Sequence, residues 1–403
     1  MKRAAALVLA VCVVTSSPVW AGQIKQLAQL RSPNFFAEER FGSAVAIAAS
    51  TVVVGAYDGR DGLGHAYVYT EAGGPQAVAT LTDDTVHAGF GYAVAISADG
   101  TTIVVSAPVD PQFAGEGTVY VFAKPAAGWQ DMAPTAALSV PNGPKSLGAG
   151  VAVSSDGATV AAGAQGNDGS GRIYVFARPS GGWQNTTVPA ATLIGSGAGT
   201  FGGTVAMTDN TIVGGFLGVD APGAAYVYVE PPTGWQNAQP TATLTSSDGA
   251  AGDQFGFSVA VLANTVVVGA PTESNSGAAY VFVEPPGGWQ NATQTAKLSS
   301  ANQGRSLLGY SVASTGSAIL AGAPDMTVAQ NPDQGSVAVY QKPPGGWVDS
   351  STPDLSITAS DGSTYDVFGW SVAVSSATAV VGGPGHTVMG RSGAGSVWVF
   401  GER

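Results

Sequence analysis

Charged residues are scarce in this chain. Of its 403 residues, 15 are lysine or arginine and 27 are aspartate or glutamate, so charged side chains make up 10% of the sequence, against about 25% in an average globular domain. Because 45% of the residues are apolar, the chain can bury a large core, which excludes a charge-rich disordered protein. The formal net charge of −12 disfavours nucleic acid as a partner, since phosphate binding needs clusters of lysine and arginine.

Cysteine is almost absent. The single cysteine, Cys12, falls in an N-terminal segment where two basic residues precede a short apolar run, and Val-Trp-Ala at 19–21 fits a signal peptidase site. We predict a cleavable export signal over residues 1–21 and one domain over 22–403, which contains no cysteine and folds without disulfides. The protein would be secreted, periplasmic or held at the cell surface. The apolar run is well below the roughly 18 residues of a membrane-spanning helix, so no span is expected.

Strong helix formers give way to glycine, valine, threonine and serine, and glycine alone accounts for 57 residues. This composition favours β-structure over a helical bundle. The sequence is also repetitive, because a Phe-Gly or Leu-Gly pair followed by small and branched residues returns at a mean spacing of about 55 residues. These pairs define units one to seven and begin at Phe41, Phe90, Leu147, Phe201, Phe255, Leu308 and Phe368.

Each unit repeats further landmarks in a fixed order. A Gly-Ala-Pro-like turn follows the first pair, a glycine then opens an aromatic strand such as 66–69 (Ala-Tyr-Val-Tyr), and a short strand closes the unit. Four short β runs separated by turn residues are typical of one propeller blade. We therefore predict an all-β fold, a seven-bladed β-propeller of four-stranded antiparallel blades.

The two ends of the chain indicate how the ring closes. The last unit stops after its third strand, at Phe400, whereas a surplus strand candidate precedes the first unit within residues 23–30. We predict that this N-terminal strand completes the last blade. Such closure leaves fewer exposed strand edges and needs no disulfide.

These ordered copies resemble the FG-GAP repeat family, which forms the β-propeller of integrin α-chains and is found in many bacterial secreted proteins. Unit five, with Phe-Gly-Phe-Ser at 255–258 and Gly-Ala-Pro at 269–271, is the most similar, and the chain looks most like the bacterial secreted subtype. The resemblance implies a non-enzymatic binding scaffold that acts in cell-surface adhesion or protein–protein interaction.

One departure from the integrin version concerns metal. There, the hairpin between the first and second strands often holds a calcium loop with several carboxylates, since calcium takes about six to eight oxygen ligands. The corresponding hairpins here, such as 47–50 and 262–264, lack such carboxylates, and those at Asp99 and Asp156 offer one each. No metal and no cofactor are therefore expected.

Acidic residues concentrate in particular loops. In a propeller, the loop leading into the first strand of a blade and the loop joining its second and third strands emerge on one side, here called the loop face. An acidic loop face would attract a basic partner, whereas the alternative interpretation is that polar loops keep the ring soluble. The candidate ligand-binding residues are Asp58, Asp61, Asp83, Asp84, Asp248, Asp253, Asp361 and Asp366.

Five units carry a Gly-Trp corner between the third and fourth strands, on the opposite side. These rings could stack on sugars and make the protein a multivalent lectin. The favoured interpretation is that each ring packs over its blade edge, because tryptophan is usually largely buried. The corner residues are Trp129, Trp183, Trp235, Trp289 and Trp347.

Catalytic signatures are missing from the sequence. His65, His87 and His386 lie in unrelated units, and we find no Gly-x-Ser-x-Gly elbow or phosphate loop. We expect no catalytic residue. A hydrolase or lyase site at the axial mouth of the ring, where carboxylates of several blades could converge, is a less favoured alternative. The expected partner is a protein or a glycan, and the protein is expected to be a monomer.

Overall fold

The computed structural model describes residues 24–34, 36–58, 64–70, 74–83, 89–108, 117–141, 146–166, 171–197, 199–218, 220–301 and 304–402. The predicted export signal, residues 1–21, lies outside these described residues. Within them, 29 strands form seven sheets, and helical structure is limited to a short 3-10 turn at Glu273–Asn275.

Units one to three each supply four consecutive strands to one antiparallel sheet. Their bounds are β2 (Ala44–Ala48), β3 (Thr51–Ala56), β4 (His65–Thr70), β5 (Ala79–Leu81), β6 (Val94–Ile96), β7 (Thr102–Ala107), β8 (Thr118–Ala123), β9 (Ala136–Leu138), β10 (Leu147–Val153), β11 (Thr159–Ala164), β12 (Arg172–Ala177) and β13 (Ala191–Ile194).

Units four to six follow the same plan, except that the two-residue strand β21 of unit five joins the sheet of unit four in parallel. Their bounds are β14 (Gly199–Met207), β15 (Thr211–Gly218), β16 (Ala224–Val229), β17 (Ala242–Thr245), β18 (Ser258–Leu262), β19 (Thr265–Ala270), β20 (Ala278–Val283), β21 (Ala292–Thr293), β22 (Ala296–Leu298), β23 (Val312–Ser314), β24 (Ala318–Ala323), β25 (Ser336–Gln341) and β26 (Leu355–Ile357).

The last blade combines the two ends of the chain. Strands β27 (Ser371–Val374), β28 (Thr378–Gly383) and β29 (Ser396–Gly401) are followed in the sheet by the N-terminal strand β1 (Lys25–Leu30). This strand runs antiparallel to β29, with Lys25 opposite Gly401 and Leu30 opposite Val397. The predicted closure by an N-terminal strand is therefore confirmed.

The blades form a closed ring. The first strand of each blade contacts the first strands of both neighbouring blades, and the contact between β27 and β2 joins the last blade to the first. The second strands are fully buried where the sequence is a β-branched run, as in β3 and β19, because blades cover both of their faces. The predicted seven-bladed propeller is confirmed.

The core consists of clusters shared between adjacent blades. The cluster between the last blade and the first, for example, combines Leu30 and Val397 with Phe41, Val54 and Tyr69. The first residue of every Phe-Gly or Leu-Gly pair is at most 2% exposed. These repeated apolar residues therefore hold the blades to one another as well as filling each blade.

Glycine is required where neighbouring blades touch. In the first blade, Gly42 of the Phe-Gly pair donates its N–H to the carbonyl oxygen of Gly55, at 3.0 Å. The carbonyl oxygen of Gly42 lies against Gly382 of the preceding blade, so closely that a Cβ at Gly382 would overlap it. The same pairing of glycines recurs at six of the seven junctions; the exception is the second blade, where Ser106 replaces the glycine.

A glycine ahead of each third strand makes a further contact across the junction. A Cβ at Gly395 would overlap the carbonyl oxygen of Phe41 in the next blade, and a Cβ at Gly64 would overlap that of Phe90. The high glycine content therefore reflects backbone contact between blades in addition to tight turns.

Replacing Gly382 by alanine should lower the free energy of unfolding by about 2 kcal/mol or more, because the backbone of Gly42 cannot move away without opening the ring. Chemical denaturation would measure the change. Gly345→Ala is the matched control, since Gly345 has no neighbouring atom within 4 Å of an added Cβ and no positive φ. Equal stability of the two variants would contradict the proposed role of the glycine pairing.

Deleting residues 22–32 should lower the midpoint of thermal unfolding strongly, because the last blade loses its outer strand and the ring loses the connection between its ends. A synthetic peptide with the deleted sequence should restore part of the loss. An unchanged unfolding midpoint would show that closure by β1 contributes little.

Candidate functional site

The candidate acids of the loop face differ in their surroundings. Asp58 is the most exposed of those that form ion pairs, with 54% of its side chain accessible, and its carboxylate lies 3.4 Å from Nε of Arg40. Arg40 also donates to the hydroxyl of Tyr57 and lies 5.8 Å from the centre of that ring. Asp58 is therefore a charged group at the surface, partly balanced by a neighbouring cation.

Asp248 belongs to a cluster inside the fifth unit. The Lys297 ammonium lies 2.6 Å from Asp248 and 2.9 Å from Glu273, and the Tyr280 hydroxyl donates to Asp248 at 2.9 Å. Partial burial opposes ionisation of Asp248, but the hydrogen bonds from Lys297 and Tyr280 outweigh it and hold its pKa below the usual value. Asp248 is thus paired within the protein, although Lys297 supplies its one positive charge to both Asp248 and Glu273.

Asp361 and Asp366 flank the buried His386 of the last blade. Nδ1 of His386 lies 3.0 Å from Asp366, and Nε2 lies 3.6 Å from Asp361. Asp361 also accepts hydrogen bonds from Trp398 and from Gln29 of the closing strand, both at 3.0 Å. Asp366 is only 1% exposed. These two acids connect the closing strand to the rest of the blade.

The remaining candidate acids either are buried or hydrogen-bonded within the protein or lie outside the described residues. Asp83 is buried, and Asp253 accepts a hydrogen bond from the backbone N–H of Ala250 at 2.7 Å. Asp61 and Asp84 lie outside the described residues. The structure therefore does not gather the described acids into one site; Asp58, Asp248, Asp253, Asp361 and Asp366 are each held by contacts in their own blade or in the loop that leads into it.

The loop face has a different feature at its centre, which the sequence reasoning missed. A cavity of about 420 Å³ opens on the ring axis. Its rim includes aromatic residues from five blades, and four of them directly follow the glycine of a Phe-Gly or Leu-Gly pair. We call these residues the aromatic mouth: Tyr57, Tyr92, Phe257, Tyr310 and Trp370.

The rings of the aromatic mouth contact one another across blade boundaries. Tyr310 lies between Phe257, at 4.8 Å, and Trp370, at 4.6 Å between ring centroids, and Tyr57 lies 5.5 Å from Tyr92. Burial, together with the neighbouring tyrosines, raises the pKa of Tyr310 above its usual value, so its hydroxyl is neutral at physiological pH. Tyr92 is nevertheless 45% exposed, so part of the mouth faces solvent.

The described lining of this cavity contains no carboxylate, basic side chain or histidine. Its polar side-chain groups are hydroxyls, the amide of Gln165 and the indole N–H of Trp370. Several hydroxyls are used between blades; Ser371, for example, donates to the carbonyl of Gly42 at 2.7 Å. The mouth therefore offers aromatic surface and neutral hydrogen-bonding groups to a ligand.

The opposite end of the axis is wider and mainly aliphatic. Its cavity, of about 1040 Å³, is lined by hairpin residues such as Ile47, Ile96, Met207 and Leu262. Asp209 is the one charged residue in the described lining, and it accepts a hydrogen bond from the backbone of Ser155 at 2.9 Å. The two ends of the axis thus present different surfaces.

The corner tryptophans pack against the blades. Four of them are between 5% and 8% exposed, and the fifth, Trp235, is half-buried against the cluster of units three and four. Trp183 also donates from Nε1 to the carbonyl of Gly157 in the adjoining hairpin, at 3.0 Å. In this arrangement little of the ring faces is available for stacking on sugars.

The residue two positions after each corner tryptophan has a role that the sequence reasoning missed. Its side-chain oxygen accepts a hydrogen bond from the backbone N–H of the outer strand of the preceding blade, as Asn291 does from Thr243 at 2.8 Å. The next residue pairs with that strand in parallel. The shared pattern Trp-x-Asn/Asp was the available signal, and its members are Asp131, Asn185, Asn237, Asn291 and Asp349.

In units two and three, the hairpin between the first and second strands contains a single acid, and this acid helps to form the turn. Asp156 accepts from the Ser154 hydroxyl at 2.7 Å and from the backbone of Ala158 at 2.9 Å, and these bonds lower its pKa. Asp99 binds Ser97 and Thr101 in the same way. Among the described residues, no three histidine, cysteine or acidic side chains are grouped so that they could hold a metal ion. The prediction that no metal is bound stays a prediction.

Asn291→Ala should lower the free energy of unfolding by about 1 kcal/mol, because the N–H of Thr243 loses its acceptor at the blade junction. The neighbouring, exposed Gln290→Ala is the matched control and should leave stability unchanged. Urea denaturation of both variants would test this role. A loss of the same size in the control would contradict it.

Comparison with known proteins identifies the repeat. The FG-GAP repeat model matches residues 25–69, 75–122, 239–282 and 354–400, which are units one, two, five and seven. The Leu-Gly pairs of units three and six and the Phe-Gly pair of unit four lie outside these matches. No curated protein matches the chain.

Solved structures show a similar architecture. A structure titled "Structure of U3-55K" matches with a TM-score of 0.59 and 12% identity, and the alignment covers 96% of this chain and all of the other. At this identity the likeness concerns the fold alone. Because 581 chains of known structure match, the architecture selects no single activity. Within the described residues, no helix has the length and apolarity needed to cross a membrane.

Proposed function

We propose that this chain, which belongs to the FG-GAP repeat family, is an exported, non-enzymatic scaffold that binds a protein partner through its loop face. Export is inferred from the predicted signal over residues 1–21 and from a domain that folds without cysteine. The role in cell-surface adhesion or protein–protein interaction follows from the resemblance to integrin-like and bacterial secreted propellers.

The aromatic mouth is the observation that carries the proposal. Tyrosine, tryptophan and phenylalanine are enriched at the centres of protein interfaces, where a few well-packed residues supply most of the binding energy. The rings of Phe257, Tyr310 and Trp370 support one another, so they are held in place before a partner arrives. Such preorganisation reduces the entropy lost on binding.

The acidic loops have a secondary part in this proposal. Asp58 and Asp361 keep 54% and 41% of their side chains exposed, although both have partners within the protein. Charges at the rim of an interface affect the rate of association and its salt dependence more than the final affinity. We therefore assign recognition to the aromatic mouth and attraction of a basic partner to the loops around it.

Carbohydrate binding at the corners is the weaker hypothesis. Trp129, Trp183, Trp289 and Trp347 are buried, and their corners hold the preceding blade. An enzyme with its site at the axial mouth is also a weaker hypothesis, because the described lining of the cavity contains no pair of catalytic groups. The absence of catalytic activity remains part of the proposal.

A pull-down from the native cell envelope with the mature protein would test the proposal. The double variant Tyr92→Ala and Trp370→Ala should reduce capture of the partner at least tenfold, because it removes the exposed ring and the end of the aromatic stack. High salt should weaken capture by wild type only modestly. Treatment of the envelope with glycosidases should leave capture intact.

Val188→Ala is the matched control, because Val188 is an apolar residue with 74% exposure on the opposite side of the ring. This variant should capture the partner as wild type does. Equal capture by the double variant and the control would refute binding at the mouth. Loss of capture after glycosidase treatment would support the carbohydrate alternative instead.

A further inference from the structure

The third strand of six units places a large aromatic ring at its third position. Five of these rings pack against the first residue of their own unit: the centroid distance to the Phe-Gly phenylalanine is between 5.2 and 5.7 Å. In unit three, Tyr174 packs with Leu147 in the same cluster. The residues at this position are Tyr67, Tyr120, Tyr174, Tyr226, Tyr280 and Trp398.

Unit six departs from this rule. Its third strand carries Ala338 at the same position, and its first pair begins with Leu308 in place of phenylalanine. A cavity of about 170 Å³ lies there, lined by both residues and by Ser306. The cavity thus occupies the place that an aromatic side chain fills in the other units.

The size of this cavity suits one six-membered ring. An engineered cavity of about 150 Å³, lined by apolar side chains, is sufficient to bind benzene. The ring cavity of unit six is slightly larger, and it is reached from solvent beside Ser351, Thr352 and Ser356, which are exposed. A ligand therefore has both the volume and a path of approach.

The polar residues that line the cavity indicate that a ring bound there carries a hydroxyl group. In unit one, the Tyr67 hydroxyl donates at 2.7 Å to Glu39, which stands two residues before the Phe-Gly pair. Ser306 stands two residues before the Leu-Gly pair of unit six and lines the cavity. Its hydroxyl donates to the carbonyl of Ser276 at 2.6 Å, which leaves oxygen lone pairs to accept a hydrogen bond from a ligand.

We propose that the cavity beside Ala338 is a binding site for a phenol, in which the ligand supplies the ring that unit six lacks and its hydroxyl donates to Ser306. The phenol is either a free small molecule or the side chain of a tyrosine on a partner. This site lies between units five and six, away from the aromatic mouth, and does not depend on the function proposed above.

The test uses p-cresol, the side-chain analogue of tyrosine, titrated into the intact protein and followed by calorimetry and by NMR. Wild type should bind it saturably at one site. Ala338→Tyr should abolish binding while retaining the fold, because it introduces the residue type that units one to five have at this position. Tyr174→Ala should create a second binding site, since unit three also begins with Leu-Gly. Because this variant differs from wild type only in the aromatic ring of residue 174, a second site would show that the missing ring creates the site.

Two further measurements examine the hydroxyl and the source of the ring. Ser306→Ala should weaken p-cresol roughly three- to tenfold and leave toluene binding unchanged, because only the phenol loses a hydrogen bond. Binding of the peptide Gly-Tyr-Gly would identify a tyrosine side chain as the ligand, whereas binding of p-cresol alone would identify a free phenol. The proposal is overturned if p-cresol shows no saturable binding to wild type, or binds Ala338→Tyr equally well.

Discussion

Contact between the backbones of neighbouring blades is the constraint on which the rest of this structure depends. At six of the seven junctions, the glycine of the Phe-Gly or Leu-Gly pair lies against the Gly-Ala-Pro glycine of the blade before it, and in most units it is also hydrogen-bonded within its own blade. No side chain fits between them. The glycine of the Phe-Gly pair and the glycine of the Gly-Ala-Pro turn therefore form the two sides of one junction. The contact of Gly382 with Gly42 closes the ring in the same way as at five other junctions.

The close approach of the inner strands of neighbouring blades also explains the structure at the outer edge of each unit. With the inner strands in contact, the blades diverge outward, and the gap between their outer edges is bridged by the corners. Each corner residue such as Asn291 caps the outer strand of the preceding blade, while the buried tryptophan fixes the turn. At the closing blade this arrangement gives way to the N-terminal strand, whose Gln29 joins Asp361 and, through it, His386. The ring is thus held at its inner and outer circumference without a disulfide.

The residues that do not take part in the packing between blades are the ones available to bind a ligand. The residue after the glycine of each Phe-Gly or Leu-Gly pair lines the axial cavity, and in units two, five, six and seven it is aromatic. The acids of the loops, which the composition made conspicuous, are mostly held by partners in their own units. Where a unit departs from the repeat, as at Ala338, the departure leaves a cavity of definite shape, and such irregularities identify candidate sites more sharply than the net charge does.

The sequence by itself determined the number of units, the strand type and the closure by the N-terminal segment, because these depend on local patterns that recur in order. It did not reveal that Tyr92 and Trp370 share one mouth, since residues so far apart in the chain meet only when the ring closes. It also did not distinguish Asp58, which stays at the surface, from Asp366, which is buried beside His386. Burial and partners of a charge depend on neighbouring elements, so only the tertiary structure decided which polar residues are structural and which remain open to a ligand.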